Sequence, residues 1–108
     1  MAIDLQDLPV NMYEATDAVV VVAPMPAVMA DDVHVRVDGR HLHIDAGQRT
    51  EAEKDYLLHE WTYGPYERAV ELPDGFGGGG EATLGNGQLA VRVTRGEGDA
   101  EITVVAKP

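Results

Sequence analysis

An all-β chain, folded as an antiparallel immunoglobulin-like β-sandwich of about seven to nine strands, is predicted from three observations. Apolar and polar residues alternate in short runs over most of the 108 residues. Two pairs of turn residues, Asp38-Gly39 and Asn86-Gly87, each sit between such runs, where a tight hairpin needs them. Turn signals recur every roughly 6–12 residues, and no stretch carries the helical period.

The elements follow in order. Val10–Ala15 (VNMYEA) alternates. Ala18–Pro24 (AVVVVAP) is a continuous β-branched run, the pattern of a buried strand, and Pro24 and Pro26 end it. Val33–Asp45 (VHVRVDGRHLHID) reads as a hairpin turning on Asp38-Gly39, which sets Val37 opposite Arg40, Arg36 opposite His41, Val35 opposite Leu42 and His34 opposite His43. One face then holds Val33, Val35, Val37, Leu42 and Ile44, and the other His34, Arg36, His41 and His43. Ala46–Asp55 is a charged connection. Alternation resumes from Tyr56 through Tyr63, turns at Gly64-Pro65 and continues as YERAVELP. EATL, the Asn86-Gly87 turn and QLAVRVT make a second hairpin, and EITVVAKP is one last extended segment.

Gly75–Gly80 (GFGGGG) is a literal G-x-G-x-x-G, yet a dinucleotide site needs a helix after the glycines to meet the pyrophosphate. Glu81-Ala82-Thr83-Leu84 and a hairpin turn follow instead, so the run is expected to be a flexible loop between strands and no cofactor is expected. With no cysteine and no serine the two commonest nucleophiles are missing, which disfavours an enzyme. A formal charge of −11 disfavours nucleic acid and anionic membranes as partners. The first charges are Asp4 and Asp7, unlike a secretory leader, and the longest apolar run is cut by prolines, so a cytoplasmic location is expected.

Glu60–Pro73 (EWTYGPYERAVELP) resembles the E-R-x-Y-G-x-F-x-R-x-F-x-L-P stretch of the α-crystallin domain of small heat-shock proteins. Ala82–Leu89 (ATLGNGQL) resembles that family's A-x-x-x-N-G-V-L signature. Val10–Glu14 is similar to its V-D-I-Y-E opening strand, and Met25–Val28 with Asp31–Val33 to its L-P-G-V and D-x-I segments. The resemblance implies a domain over residues 10–95, a short N-terminal arm over 1–9 and a C-terminal extension over 96–108. It implies an ATP-independent holdase that binds partly unfolded proteins, self-associates as a dimer or larger oligomer, and uses an apolar groove near Val35, Val37, Ala82 and Leu84. The chain departs from the family pattern at Trp61 in place of an arginine, in the Gly77–Gly80 run in place of a polar turn, at Gln88 in place of an apolar residue, and in its short arm and short Gly47–Asp55 loop.

Several residues carry alternatives. Arg68 shares the phase of Tyr66, Val70 and Leu72, so its charge must be paired, lie at an interface or snorkel to solvent; the resemblance puts it near a dimer interface. Trp61 shares the strand parity of Tyr63 and His59 and is read as a packing or dimer-interface residue, or as a ligand platform. Ile102-Thr103-Val104 has the I-x-V form of the family's tail motif, and equally that of a last strand in the domain's own sheet. His34 opposite His43 is placed to chelate a divalent metal, or is part of a solvated face. The rival functions are a CS-domain-like adaptor docking to one folded partner, and a metal-binding β-domain.

Overall fold

The computed structural model describes residues 6–26, 28–47, 55–58 and 65–107. Among them are ten strands: β1 (Gln6–Asp7), β2 (Asn11–Glu14), β3 (Ala18–Pro24), β4 (Val33–Asp38), β5 (His41–Ala46), β6 (Tyr66–Glu71), β7 (Phe76–Gly85), β8 (Gln88–Arg95), β9 (Ala100–Ile102) and β10 (Val104–Ala106). The only helical element among the described residues is a 3-10 turn at Ala30–Asp32. Two five-stranded sheets stack, in the orders β1-β6-β5-β4-β9 and β10-β7-β8-β3-β2. The fold is the all-β immunoglobulin-like sandwich, with β2 to β8 as its long strands. Its pairings are antiparallel except at two edges, where β1 runs parallel to β6 and β10 parallel to β7.

Alternation produces the core directly. β4 buries Val33, Val35 and Val37 and exposes His34, Arg36 and Asp38, because successive side chains of a strand point to opposite faces. Leu42 and Ile44 of β5 join them, and from the other sheet come Val19, Val21, Leu89, Val91, Val93, Ala82 and Leu84. Among the described residues no polar or charged one is buried. Removal of this apolar surface from water, about 1.5–3 kcal/mol for each large aliphatic side chain, holds the layers together.

The first hairpin differs from the expected register. Asp38 faces His41, Val37 faces Leu42, Val35 faces Ile44, Arg36 faces His43 and His34 faces Asp45. The turn is therefore Gly39-Arg40, with Gly39 at φ +63 and Arg40 at negative φ. A turn centred on Asp38-Gly39 would need positive φ at an aspartate; moving one residue on puts glycine at the first central position, where a type II′ turn wants it. The inward and outward faces survive because the shift preserves side-chain parity. At the second hairpin Asn86 and Gly87 both have positive φ, 52 and 74, as a type I′ turn requires.

The glycine run is a strand and not the expected loop. Residues 76–85 form β7, with a register irregularity between Phe76 and Gly80 opposite β8. The glycines are there for backbone approach. A Cβ on Gly78 would stand 2.5 Å from the Glu97 carbonyl oxygen, and one on Gly80 would collide with the Arg92 carbonyl oxygen. The N-terminal arm also holds a strand, since β1 pairs with β6 ahead of the expected first strand. The extended segment expected from Tyr56 is not a strand over residues 55–58, where Leu57 and Leu58 are exposed, and residues 59–64 lie outside the described residues.

Candidate client groove and strand edges

Where β4 of one sheet faces β7 of the other, Val35, Val37, Ala82 and Leu84 converge on one groove, all four less than 10% exposed. This groove is filled by the chain's own C-terminal segment. Ile102 lies opposite Val35 and Ala100 opposite Val37 on β4. Val104 lies beside Ala82 and Ala106 beside Leu84 on β7. The single extended segment read over 101–108 is thus two strands with Thr103 between them, crossing from one sheet to the other. Lys107 N–H donates to the Leu84 carbonyl at 2.8 Å and completes the seam.

The chain is steered into this path by residues 96–99. Gly78 N–H donates to the Gly98 carbonyl at 2.9 Å, and Gly96 N–H to the Gly75 carbonyl at 3.0 Å. At the far end of the linker the Asp99 carboxylate accepts from Gly39 N–H at 2.7 Å, tying it to the β4–β5 turn. Sequence reasoning missed Asp99 because its partner is 60 residues away and neither residue belongs to a local motif. A cleft of about 320 Å³ remains outside the segment, lined by Ala30, Val35, Arg36, Ile102 and Val104 among others.

The profile of the Hsp20/alpha crystallin family matches residues 11–105. The chain belongs to that family. An 18.8 kDa class II heat shock protein of Ipomoea nil is 33% identical over 72 residues, a match that covers 61% of this chain and 43% of the plant protein, so the alignment spans under half of that relative. Among solved structures, hspA from Xanthomonas axonopodis superposes with a TM-score of 0.76 at 24% identity, covering 85% of this chain and 96% of that one. A small heat-shock protein from Xylella fastidiosa superposes at 0.71 with 24% identity, covering 84% and 87%. These superpositions speak to the fold. The family is one of non-catalytic chaperones.

The other residues singled out from sequence meet different outcomes in this small heat-shock domain. Arg68 has the phase of Tyr66 and Val70, yet its guanidinium leaves the layer and donates to the Leu8 carbonyl at 3.0 Å, so its charge is met by backbone next to β1. Trp61 lies outside the described residues. The expected His34–His43 pair is undone by the register: His34 faces Asp45, and His43 faces Arg36, whose positive charge opposes a cation. Among the described residues no three histidine, aspartate or glutamate side chains cluster as metal ligands.

Two strand edges of the second sheet differ in character. β2 pairs with β3, and among the described residues nothing lies on its other side; Met12 and Tyr13 on it are 42% and 57% exposed. Nearby, the Arg92 guanidinium on β8 pairs with Asp17 and reaches Glu81 at 4.0 Å. Its hydrogen bond and charge hold the Asp17 carboxyl below the ordinary aspartate range. The network stays exposed and flanks a cavity of about 470 Å³ lined by Tyr13, Val20, Thr83 and Ala90.

Proposed function

We propose that this chain is an ATP-independent holdase that binds extended segments of partly unfolded proteins and works as a dimer or larger assembly. What supports the reading, beyond family membership, is the form of the groove. Its walls offer alternate apolar positions on β4 and β7, and the segment lying in it is extended, with Ile102 and Val104 two residues apart. That is the recognition mode in which backbone ladders supply affinity and pockets for alternate side chains supply selectivity. The exposed β2 edge, with Met12 and Tyr13, offers a second template for an extended chain. Arg68 belongs, in this proposal, to the dimer interface, as the family resemblance implies, and Trp61 is placed there by its strand parity with Tyr63 and His59.

The test is light scattering of a heat-stressed model protein without nucleotide. The chain is expected to suppress its aggregation at a few-fold molar excess, and unchanged aggregation at that ratio removes the holdase reading. One observation favours the adaptor reading instead: the groove is filled by the chain's own tail. Tight binding to one folded protein, with aggregation unaffected, would establish it.

A further inference from the structure

We infer that the outer face of the second sheet is a contact surface for a second copy of this chain, two sandwiches stacking there about a two-fold axis. The registers lay the face out. Val22, Ala90, Thr83 and Val105 stand opposite one another on β3, β8, β7 and β10. Tyr13, Val20, Arg92 and Glu81 form the neighbouring row, from β2 across to β7. Val20, Val22, Thr83 and Ala90 are half-buried, Tyr13 and Val105 are each 57% exposed, and among the described residues no third layer of strands covers them. The outer face of a solvated sheet is normally polar. An apolar row that crosses four strands beside a cavity of about 470 Å³ is therefore the mark of a partner.

Charge selects the occupant. The outer face of the first sheet carries Asp38, Asp45, Glu67, Glu71 and Glu101 against Arg36. A basic partner, steered by the net charge of −11, would be drawn to that side. On the strands of the second sheet the outward charges are Arg92 and Glu81, which cancel. Two copies of so acidic a chain thus meet with least repulsion at this face. The pair is also self-complementary, since a two-fold axis sets the Arg92 of each copy against the Glu81 of the other. Five strands at ~4.8 Å spacing and about five residues along them give a footprint of roughly 400 Å² per copy. That is about half of a standard interface, so the contact is reversible and fills at high chain concentration. It lies apart from Arg68 and from the groove, and it does not rest on the holdase reading.

Sedimentation equilibrium, from about 10 μM to about 1 mM chain, tests the surface with one substitution made on either side of the sandwich. Ala90→Glu and Ala69→Glu add the same charge. The first lies on β8, the central strand of the second sheet, and the second on the exposed outer face of β6. Ala90→Glu is expected to weaken self-association at least about tenfold, because the axis presses one new carboxylate from each copy towards the other. Ala69→Glu is expected to change it by less than about twofold, as a surface substitution away from the contact does. Val105→Glu, at a position already 57% exposed, is expected to repeat the loss while the melting temperature stays near that of wild type, which separates a lost contact from a damaged fold. For wild type, lowering salt from ~0.15 M to ~0.01 M lengthens the screening distance from ~8 Å to ~30 Å and is expected to weaken association. A wild-type chain that stays monomeric at the highest concentration, a mass distribution unmoved by Ala90→Glu or Val105→Glu, or equal losses in Ala90→Glu and Ala69→Glu overturns the surface. Aggregation of a client plays no part in these readouts, so the holdase reading stands or falls separately.

Discussion

Gly80 stands in the middle of β7 where a methyl group would run into the Arg92 carbonyl of β8, and two rigid backbones leave nothing to yield. Gly39 is the useful contrast. It also sits in a special place, at φ +63 in a tight turn, but a Cβ there would meet nothing within 4 Å. Gly39→Ala is therefore expected to lose about 1–2 kcal/mol through the left-handed backbone alone, whereas Gly80→Ala loses about 3 kcal/mol through overpacking. Urea midpoints of the two variants measure the difference; equal midpoints would mean that β7 and β8 are not in close backbone contact. Arg68 makes a related point about single residues. Its phase on β6 announced a charge that needed a partner, and the partner is the Leu8 carbonyl, which no side-chain pattern encodes.

The strands were legible wherever a run is bounded by its own chemistry. Ala18–Pro24 stops at its proline, β4 and β5 alternate, and Asn86-Gly87 turns where both residues take positive φ. The misreadings share a cause, which is that the deciding contact lies far away in sequence. The hairpin register turned on whether Gly39 or Asp38 takes the left-handed position, a choice supported by Asp99 from 60 residues on. The glycine run looked like a loop because the linker that crosses it cannot be seen in its own residues, and the last segment looked like one strand because its two halves serve different sheets. For the candidate site, the alternation of β4 placed Val35 and Val37 on the inward face, and Ile102-Thr103-Val104 could be read either as a tail motif or as a last strand; the pairing with β4 and β7 is what separates the two. Between elements, the Asp17–Arg92 pair joins the turn after β2 to β8. Since Arg92 lowers the folded-state ionisation of Asp17 below its ordinary 3.8, the pair's contribution is present above about pH 4 and fades as pH falls through the lower, folded value. The melting-temperature difference between wild type and Asp17→Asn should accordingly shrink from pH 6 towards pH 2, and the pair is exposed enough for salt to narrow it too. A difference that grows on acidification would contradict the assignment.

At the scale of the whole molecule, a charge of −11 on 108 residues makes self-repulsion the main long-range force on the folded state. Exposed pairs such as Arg40–Asp74 at 2.7 Å and Arg36–Asp38 at 3.2 Å offset little of it. Raising salt from ~0.01 M to ~0.15 M cuts the screening distance from ~30 Å to ~8 Å, so calorimetry should find the melting temperature rising over that range. A fall would mean that the local pairs outweigh the global repulsion. The three-residue β10 has a further practical bearing. It is gripped along one side only, by β7, and is the last element before Lys107. A fluorescent domain or bulky tag fused beyond that point hangs its thermal drag on one of the shortest ladders in the sandwich. Tagged copies would then fray β10 from β7 more often than the bare chain, and would understate the stability of that edge.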